Sequence, residues 1–213
     1  MKITKYEHAC LVIEERGKRL VIDPGELTRD MGSVTDVVAT VCTHAHFDHC
    51  NAQQLAAIHA HNPQAQFLGP QEVAAAVPAI PITIVHPGNT LAIGPFQLQF
   101  FGEKHTPVID NKPDSQNVGV LVNGIFYYPG DSFDTPNGIQ PEVLALPVSG
   151  PWLKLGEAID FLRVVQPTKF YFSTHDALYS DIGMRVAEGW LTETSTTLKV
   201  AHKVLRPGES IEI

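Results

Sequence analysis

The chain has 213 residues, 44% hydrophobic and 18% charged, with a formal net charge of −8. Such a balance excludes a disordered chain, and the length is enough for one domain, 1–213, to bury a core. Lys and Arg are scattered, which counts against nucleic-acid binding, and no apolar run is long enough to span a bilayer.

The chain opens on Met1-Lys2-Ile3-Thr4-Lys5-Tyr6-Glu7, which lacks the apolar centre of a signal peptide and reads directly as a first strand. A cytoplasmic location is the expectation. Three cysteines, Cys10, Cys42 and Cys50, form no pairing pattern and argue against a disulfide scaffold. Strands are expected at 2–5, 9–14, 19–23 and 37–42, and a helix at 51–61. Between the last two lies Thr43-His44-Ala45-His46-Phe47-Asp48-His49, with three imidazoles and a carboxylate on a strand-to-helix turn. His44 and His46 are two apart and point the same way in extended chain, so both can reach one metal ion. Asp48 and His49 come as the chain turns and can face a second point nearby.

A second helix is expected at 70–77, then strands at 82–85 and 96–101. His105 follows the latter in Gly102-Glu103-Lys104-His105-Thr106-Pro107. Strands at 117–122 and 125–128 flank Asn123-Gly124, a strong two-residue hairpin signal. Asp131 comes just past the second of them. A strand at 143–147 leads into Pro147-Val148-Ser149-Gly150-Pro151-Trp152, where Trp152 is a candidate apolar wall of a pocket or a buried structural residue. A helix at 154–165 precedes a strand at 169–172 that runs into His175 and Asp176; a helix at 184–191 and a strand at 209–213 close the chain. His105, Asp131 and His175 are each a metal-capable side chain beyond the end of an apolar strand. His59, His61, His86 and His202 have no such context and are expected to face solvent. Gly17 to Gly25 and Gly124 to Asp131 resemble one another, each a hairpin return strand ending in an Asp/Pro/Gly turn, which suggests two similar halves.

Taken in order, His44, His46, Asp48, His49, His105, Asp131 and His175 resemble the complete ligand pattern of the metallo-β-lactamase superfamily, across most of the chain, roughly residues 1–180. The resemblance implies an α+β fold, a four-layer αββα sandwich with a binuclear site at one edge of its two sheets. It implies that His44, His46 and His105 hold one divalent ion, that Asp48, His49 and His175 hold a second, and that Asp131 bridges them. The opening Tyr6-Glu7-His8-Ala9-Cys10 resembles the Gly-His-Ala start of the L-ascorbate-6-phosphate lactonase-like branch, with Glu7 in place of the usual glycine. By that analogy His8 lies near the metals and touches substrate or solvent; the residues alone equally admit a histidine hydrogen-bonded at a strand end.

The implied chemistry is hydrolysis of a small-molecule ester, lactone or phosphoester by a hydroxide held between two divalent ions. Asp48 would orient that hydroxide and pass a proton to the leaving group. Zinc suits the ligand set best, with manganese or iron admitted. Members resembling di-iron redox proteins usually carry a carboxylate where His46 stands, so the histidine favours hydrolysis. Asp23 and Asp176 are candidate acceptors for the outer ring nitrogens of the histidines. Cys50, directly after His49, is a candidate neighbour of the metals. The alternatives are a metal-binding sensor or interaction protein without turnover, and a β-lactam or thioester hydrolase on the same fold. No membrane or nucleic-acid partner is expected, and a homo-oligomer is compatible with the sequence.

Overall fold

Two seven-stranded sheets face each other in the computed structural model, which describes residues 1–109 and 115–213. The first holds β1 (Lys2–Lys5), β2 (Leu11–Glu15), β3 (Lys18–Ile22), β4 (Val37–Val41), β5 (Gln66–Gly69) and β6 (Ile82–Ile84) side by side. The second holds β7 (Thr90–Ile93), β8 (Phe96–Phe101), β9 (Gly119–Val122), β10 (Phe126–Tyr128), β11 (Val143–Pro147), β12 (Phe170–Thr174) and β13 (Ala201–His202). The last strand, β14 (Ser210–Glu212), returns to pair with β1. Helices α1 (Ala52–His61) and α2 (Gln71–Ala76) cover the first sheet, α3 (Leu155–Val165) and α4 (Asp181–Leu198) the second.

Strand alternation sorts the side chains into layers. Ile3, Leu11, Ile13, Leu20 and Ile22 from one sheet meet Leu98, Phe100, Val120, Phe126 and Phe172 from the other in the central core. Val12, Val21 and Phe67 turn outward onto Leu55, Ile58 and Val73 of α1 and α2. Leu121, Leu144 and Tyr171 turn outward onto Phe161, Leu162 and Leu191 of α3 and α4. The result is the four-layer αββα sandwich, with helices on the two outer faces.

The two sheets repeat one plan. In the first, β1, β2 and β3 are antiparallel and β3 to β6 run parallel. In the second, β8, β9 and β10 are antiparallel and β10 to β13 run parallel. The hairpin turns also match: Arg16-Gly17 and Asn123-Gly124 both take two left-handed residues, the geometry that suits the right-handed strand twist. Asp23 and Asp131 therefore follow corresponding strands, β3 and β10.

Three strands and much of one helix depart from the sequence expectation. β5 and β7 are four residues each, hemmed by Pro and Gly, and β13 has two; runs so short carry no readable period. Helix α4 spans 18 residues because Ser180 caps it through Gly183 N, and because Leu191 and Thr194 are buried. Its Thr-rich end is a poor helix former on which tertiary packing prevails. Among the described residues no helix is long and apolar enough to cross a membrane.

Candidate metal centre

Strand β4 is buried on both faces and ends where Cys42 N donates to Leu68 O of β5 (2.9 Å). The next residue turns away from the ladder. Thr43 N and Thr43 Oγ1 both donate to the buried Asp23 carboxylate, at 2.7 and 2.8 Å. Asp23 itself holds a left-handed φ of 49°, a conformation aspartate tolerates better than most residues. Beside it Gly25 lies against the Asp48–His49 main chain so closely that a Cβ there would sit 1.8 Å from Asp48 O. The β3 turn thus clamps the loop that carries His44, His46, Asp48 and His49.

Other strand ends bring the remaining side chains. His105 comes from the segment after β8, fixed by Thr106 N donating to Asp131 O (2.9 Å). Asp131 follows β10, with its N–H on Asn117 Oδ1 (3.0 Å). His175 follows β12, and His8 precedes β2. One donor atom each of His44, His46, His105 and Asp131 lies within 4.8 Å of the others, and the same holds for His8, His49 and His175. Asp131 joins the two groups. Its Oδ1 is 2.7 Å from His175 Nε2 and 3.1 Å from His49 Nε2; its Oδ2 is 3.2 Å from His105 Nε2 and 3.9 Å from His44 Nε2. Asp48 Oδ2 sits 3.0 Å from His8 Nε2 and 3.9 Å from His49 Nε2. The structure brings all eight sequence-predicted residues to one edge of the two sheets.

The rings are aimed by their outer nitrogens. His49 Nδ1 is 2.7 Å from Asp23 Oδ2, His44 Nδ1 is 3.0 Å from Thr43 Oγ1, His175 Nδ1 is 2.9 Å from Thr174 Oγ1, and His105 Nδ1 is 2.5 Å from Thr106 O. Tying Nδ1 turns Nε2 inward, and this is how metal-ligating histidines are usually oriented. The inward Nε2 atoms of His44 and His49 are buried, and among the described residues neither has a hydrogen-bond partner. A buried polar atom left unmatched costs about 1–3 kcal/mol unless something satisfies it. The donor set of imidazoles and carboxylates fits divalent ions.

The carboxylates set the electrostatics: burial lowers the pKa of His49, but Asp131 and Asp23 outweigh it and hold it well above the ordinary value. Burial lowers the pKa of His44, with the neighbouring His49 adding to it, so its ring is held neutral and ready to donate a lone pair. Burial lowers His175 too. Burial pushes Asp131 up, but the neighbouring histidines, His49 foremost, outweigh it and hold its carboxyl well below the usual range. For Asp48 burial is likewise outweighed, here by the His8 hydrogen bond and the His49 charge, and its pKa falls to about 2.

Residues 2–171 match the family model described as the β-lactamase superfamily domain. The chain belongs to that superfamily. The Mycobacterium tuberculosis protein Rv0786c is 31% identical over 92% of this chain and 94% of its own. Among solved structures, Igni18, a metallo hydrolase of Ignicoccus hospitalis, superposes with a TM-score of 0.74 at 17% identity, covering 100% of this chain and 98% of that one. An isothiocyanate hydrolase from Delia radicum gut bacteria does so with a TM-score of 0.68 at 18% identity, covering 100% and 99%.

Not every secondary candidate reaches the superfamily site. Asp176 meets the buried Lys5 Nζ at 2.8 Å in a partly buried ion pair and orients none of the ligand-type histidines. Cys50 joins Cys42 in the core cluster under α1. His61 and His86 are exposed as expected, but His59 packs on Phe67 and His202 stacks on Tyr171, so both are half-buried. Glu7 fills the usual glycine position without a positive φ and reaches out to Arg29. Trp152 is buried, with its ring 5.8 Å from His105 and 6.4 Å from His175, walling the flank of both groups. Sequence reasoning missed Thr43, Thr106 and Thr174, whose only signal is that each adjoins a candidate ligand. It also passed over Phe47, 60% exposed within the histidine loop itself.

Proposed function

We propose that this β-lactamase superfamily protein is a binuclear metal-dependent hydrolase of a small-molecule ester, lactone or phosphoester. One observation carries the reading: two buried ring nitrogens, His44 Nε2 and His49 Nε2, make no hydrogen bond among the described residues and both approach the Asp131 carboxylate, at 3.9 and 3.1 Å. His44, His46 and His105 would hold one ion. His49 and His175 would hold the other, with Asp48 at its margin, and Asp131 would lie between the two. Bound divalent ions supply an acidified water and Lewis-acid polarisation of the scissile oxygen.

The chain's own groups do the rest. Asp48, ionised through the His8 hydrogen bond and the His49 charge, accepts a proton from the attacking water and returns it to the leaving group. Asp23 and Thr43 fix the ring orientations of His49 and His44. Trp152 excludes bulk water from the flank, and Phe47 offers an exposed apolar surface to a substrate at the mouth. Zinc fits the donors best, with manganese or iron as the alternatives.

The test is metal content per chain by plasma mass spectrometry, followed by hydrolysis assays on lactones, carboxylic and phosphate esters, thioesters and β-lactams. Two equivalents of metal with turnover of a lactone or ester supports the reading. Two equivalents with no turnover on any class would favour a metal-binding sensor, and one or none would remove the binuclear centre.

A further inference from the structure

The outer face of α4 carries side chains that a helix facing only water does not need. Met184 and Leu191 anchor the helix on the core of the second sheet, with Ala187 and Thr194 buried beside them. On the opposite face Ile182, Val186 and Trp190 follow one another at four-residue spacing and are 67%, 57% and 56% exposed. Leu178, in the turn before the helix, is exposed as well. Single exposed apolar residues are ordinary, but a row of them along one helix face marks a surface that associates.

Three further residues on this face point to what covers it. Gly189 is exposed in the interior of the 18-residue helix, and a Cβ there would meet nothing within 4 Å. Packing within the chain therefore does not call for glycine, which is disfavoured against alanine in a helix interior. A missing side chain does permit the close approach of a second backbone. Arg185 and Glu193 stand four residues before and four after Gly189; both are exposed, and neither makes an ion pair among the described residues. Eight residues apart, about 12 Å along the axis, they lie beyond the three- or four-residue reach of an ion pair on one helix.

We infer that α4 pairs antiparallel with α4 of a second copy of this chain, about a two-fold axis at Gly189. That axis brings Arg185 of each chain level with the partner's Glu193. The face is thus complementary in charge to itself, and two ion pairs form across it. The glycines lie at the crossing, where the two backbones approach most closely. Val186 and Trp190 of each chain lie within one turn of the crossing and are covered there. A membrane surface is the poorer occupant: α4 carries Asp181, Glu188 and Glu193 against Arg185 as its one basic residue, whereas a helix that lies on lipid is rich in Lys and Arg.

Sedimentation equilibrium of the full chain over a concentration series tests this. The wild type is expected to show a monomer–dimer equilibrium. Arg185→Glu and Glu193→Arg each put like charges across the axis, and each should weaken the dimer by about tenfold or more. The double variant Arg185→Glu/Glu193→Arg should restore it, and Val186→Asp should abolish it. All three positions are exposed, and circular dichroism confirms that the variants fold. A wild type that stays monomeric at about 0.1 mM overturns the inference whatever the variants do. A dimer indifferent to Val186→Asp overturns it too, and so do single charge variants whose effect the double variant fails to reverse. Flotation of a monomeric wild type with vesicles of anionic lipid would give the face to a membrane instead.

Discussion

His175 N donates to His8 O at 2.9 Å, and both residues hold left-handed φ angles, 67° and 59°. One comes from the first half of the chain and the other from the second, so the bond stitches the sheets together at the edge where the candidate ligands meet. Strained backbone of this kind persists only where its surroundings over-determine it, and it gathers at functional sites. The strain gives a direct prediction. Glycine takes a left-handed conformation freely, so His8→Gly is expected to be more stable than His8→Ala by about 1 kcal/mol. Urea unfolding of the two variants in excess chelator checks this, free of any metal contribution. Equal stabilities would mean that the left-handed turn relaxes when the imidazole is gone.

Asp23 offers a second prediction. Its carboxylate takes Thr43 N, Thr43 Oγ1 and His49 Nδ1 at once, all in a fully buried position. Asp23→Asn keeps the volume but removes the charge, and one amide nitrogen must then face a former donor. The His49 ring loses the acceptor that aims it. Metal affinity is expected to fall by about 10–100-fold, the usual cost of losing such an outer partner. Competition with a chromophoric chelator measures it. An unchanged affinity would show that packing alone orients His49.

Asp23 and Asp131 also show what could be read in the sequence. The contiguous His44 to His49 run was legible because six neighbouring residues carry four ligand-type side chains. His105, Asp131 and His175 were legible because each ends an apolar strand. The Asn123-Gly124 turn and the echo between the two return strands gave the repeated half-sheet plan. What escaped depends on distance through space. The threonines that tie the outer ring nitrogens look like any other strand-end threonine. Asp176 pairs with Lys5, 171 residues away, and no local pattern marks that bond. β7 and β13 owe their pairing to their neighbours and not to a pattern of their own. Cys50 faces Cys42 because one turn after His49 points inward to the helix side, a direction that spacing alone leaves open.

His202 predicts a pH effect away from the candidate metal centre. Its ring stacks on Tyr171 at 4.9 Å, and burial lowers its pKa from the ordinary histidine value, with Glu188 opposing more weakly. The unfolded chain keeps the ordinary value of about 6.5. Above that pH neither state is protonated here, and the group is neutral in its effect on stability. As pH falls through that value the unfolded state binds the proton first, so stability is lost on the acid side. His202→Gln removes this contribution. The stability of wild type relative to the variant should therefore decline from one unit above that pH to one unit below it. Paired urea unfolding curves at the two pH values test this, and parallel behaviour of the two proteins would refute it.

Asp131 carries the heaviest prediction because everything at the site converges on it. Four histidine nitrogens lie within 3.9 Å of its two oxygens, and it is 4% exposed. Asp131→Ala leaves a buried cluster of imidazoles with no anion at its centre. Two cations brought into that space would then repel each other without the carboxylate that offsets them. On the binuclear reading, bound metal should fall from two equivalents to one or fewer, with an affinity loss exceeding the roughly 100-fold upper figure for an outer partner. Hydrolysis should fall to background with it. Asp131→Asn separates charge from shape: it fills the space and keeps an oxygen, yet it should lose metal nearly as completely, because one amide oxygen cannot neutralise two ions. Plasma mass spectrometry on both variants, with circular dichroism to confirm folding, decides the point. A folded, fully metallated and active Asp131→Ala would remove Asp131 from the centre and with it the shared-carboxylate arrangement.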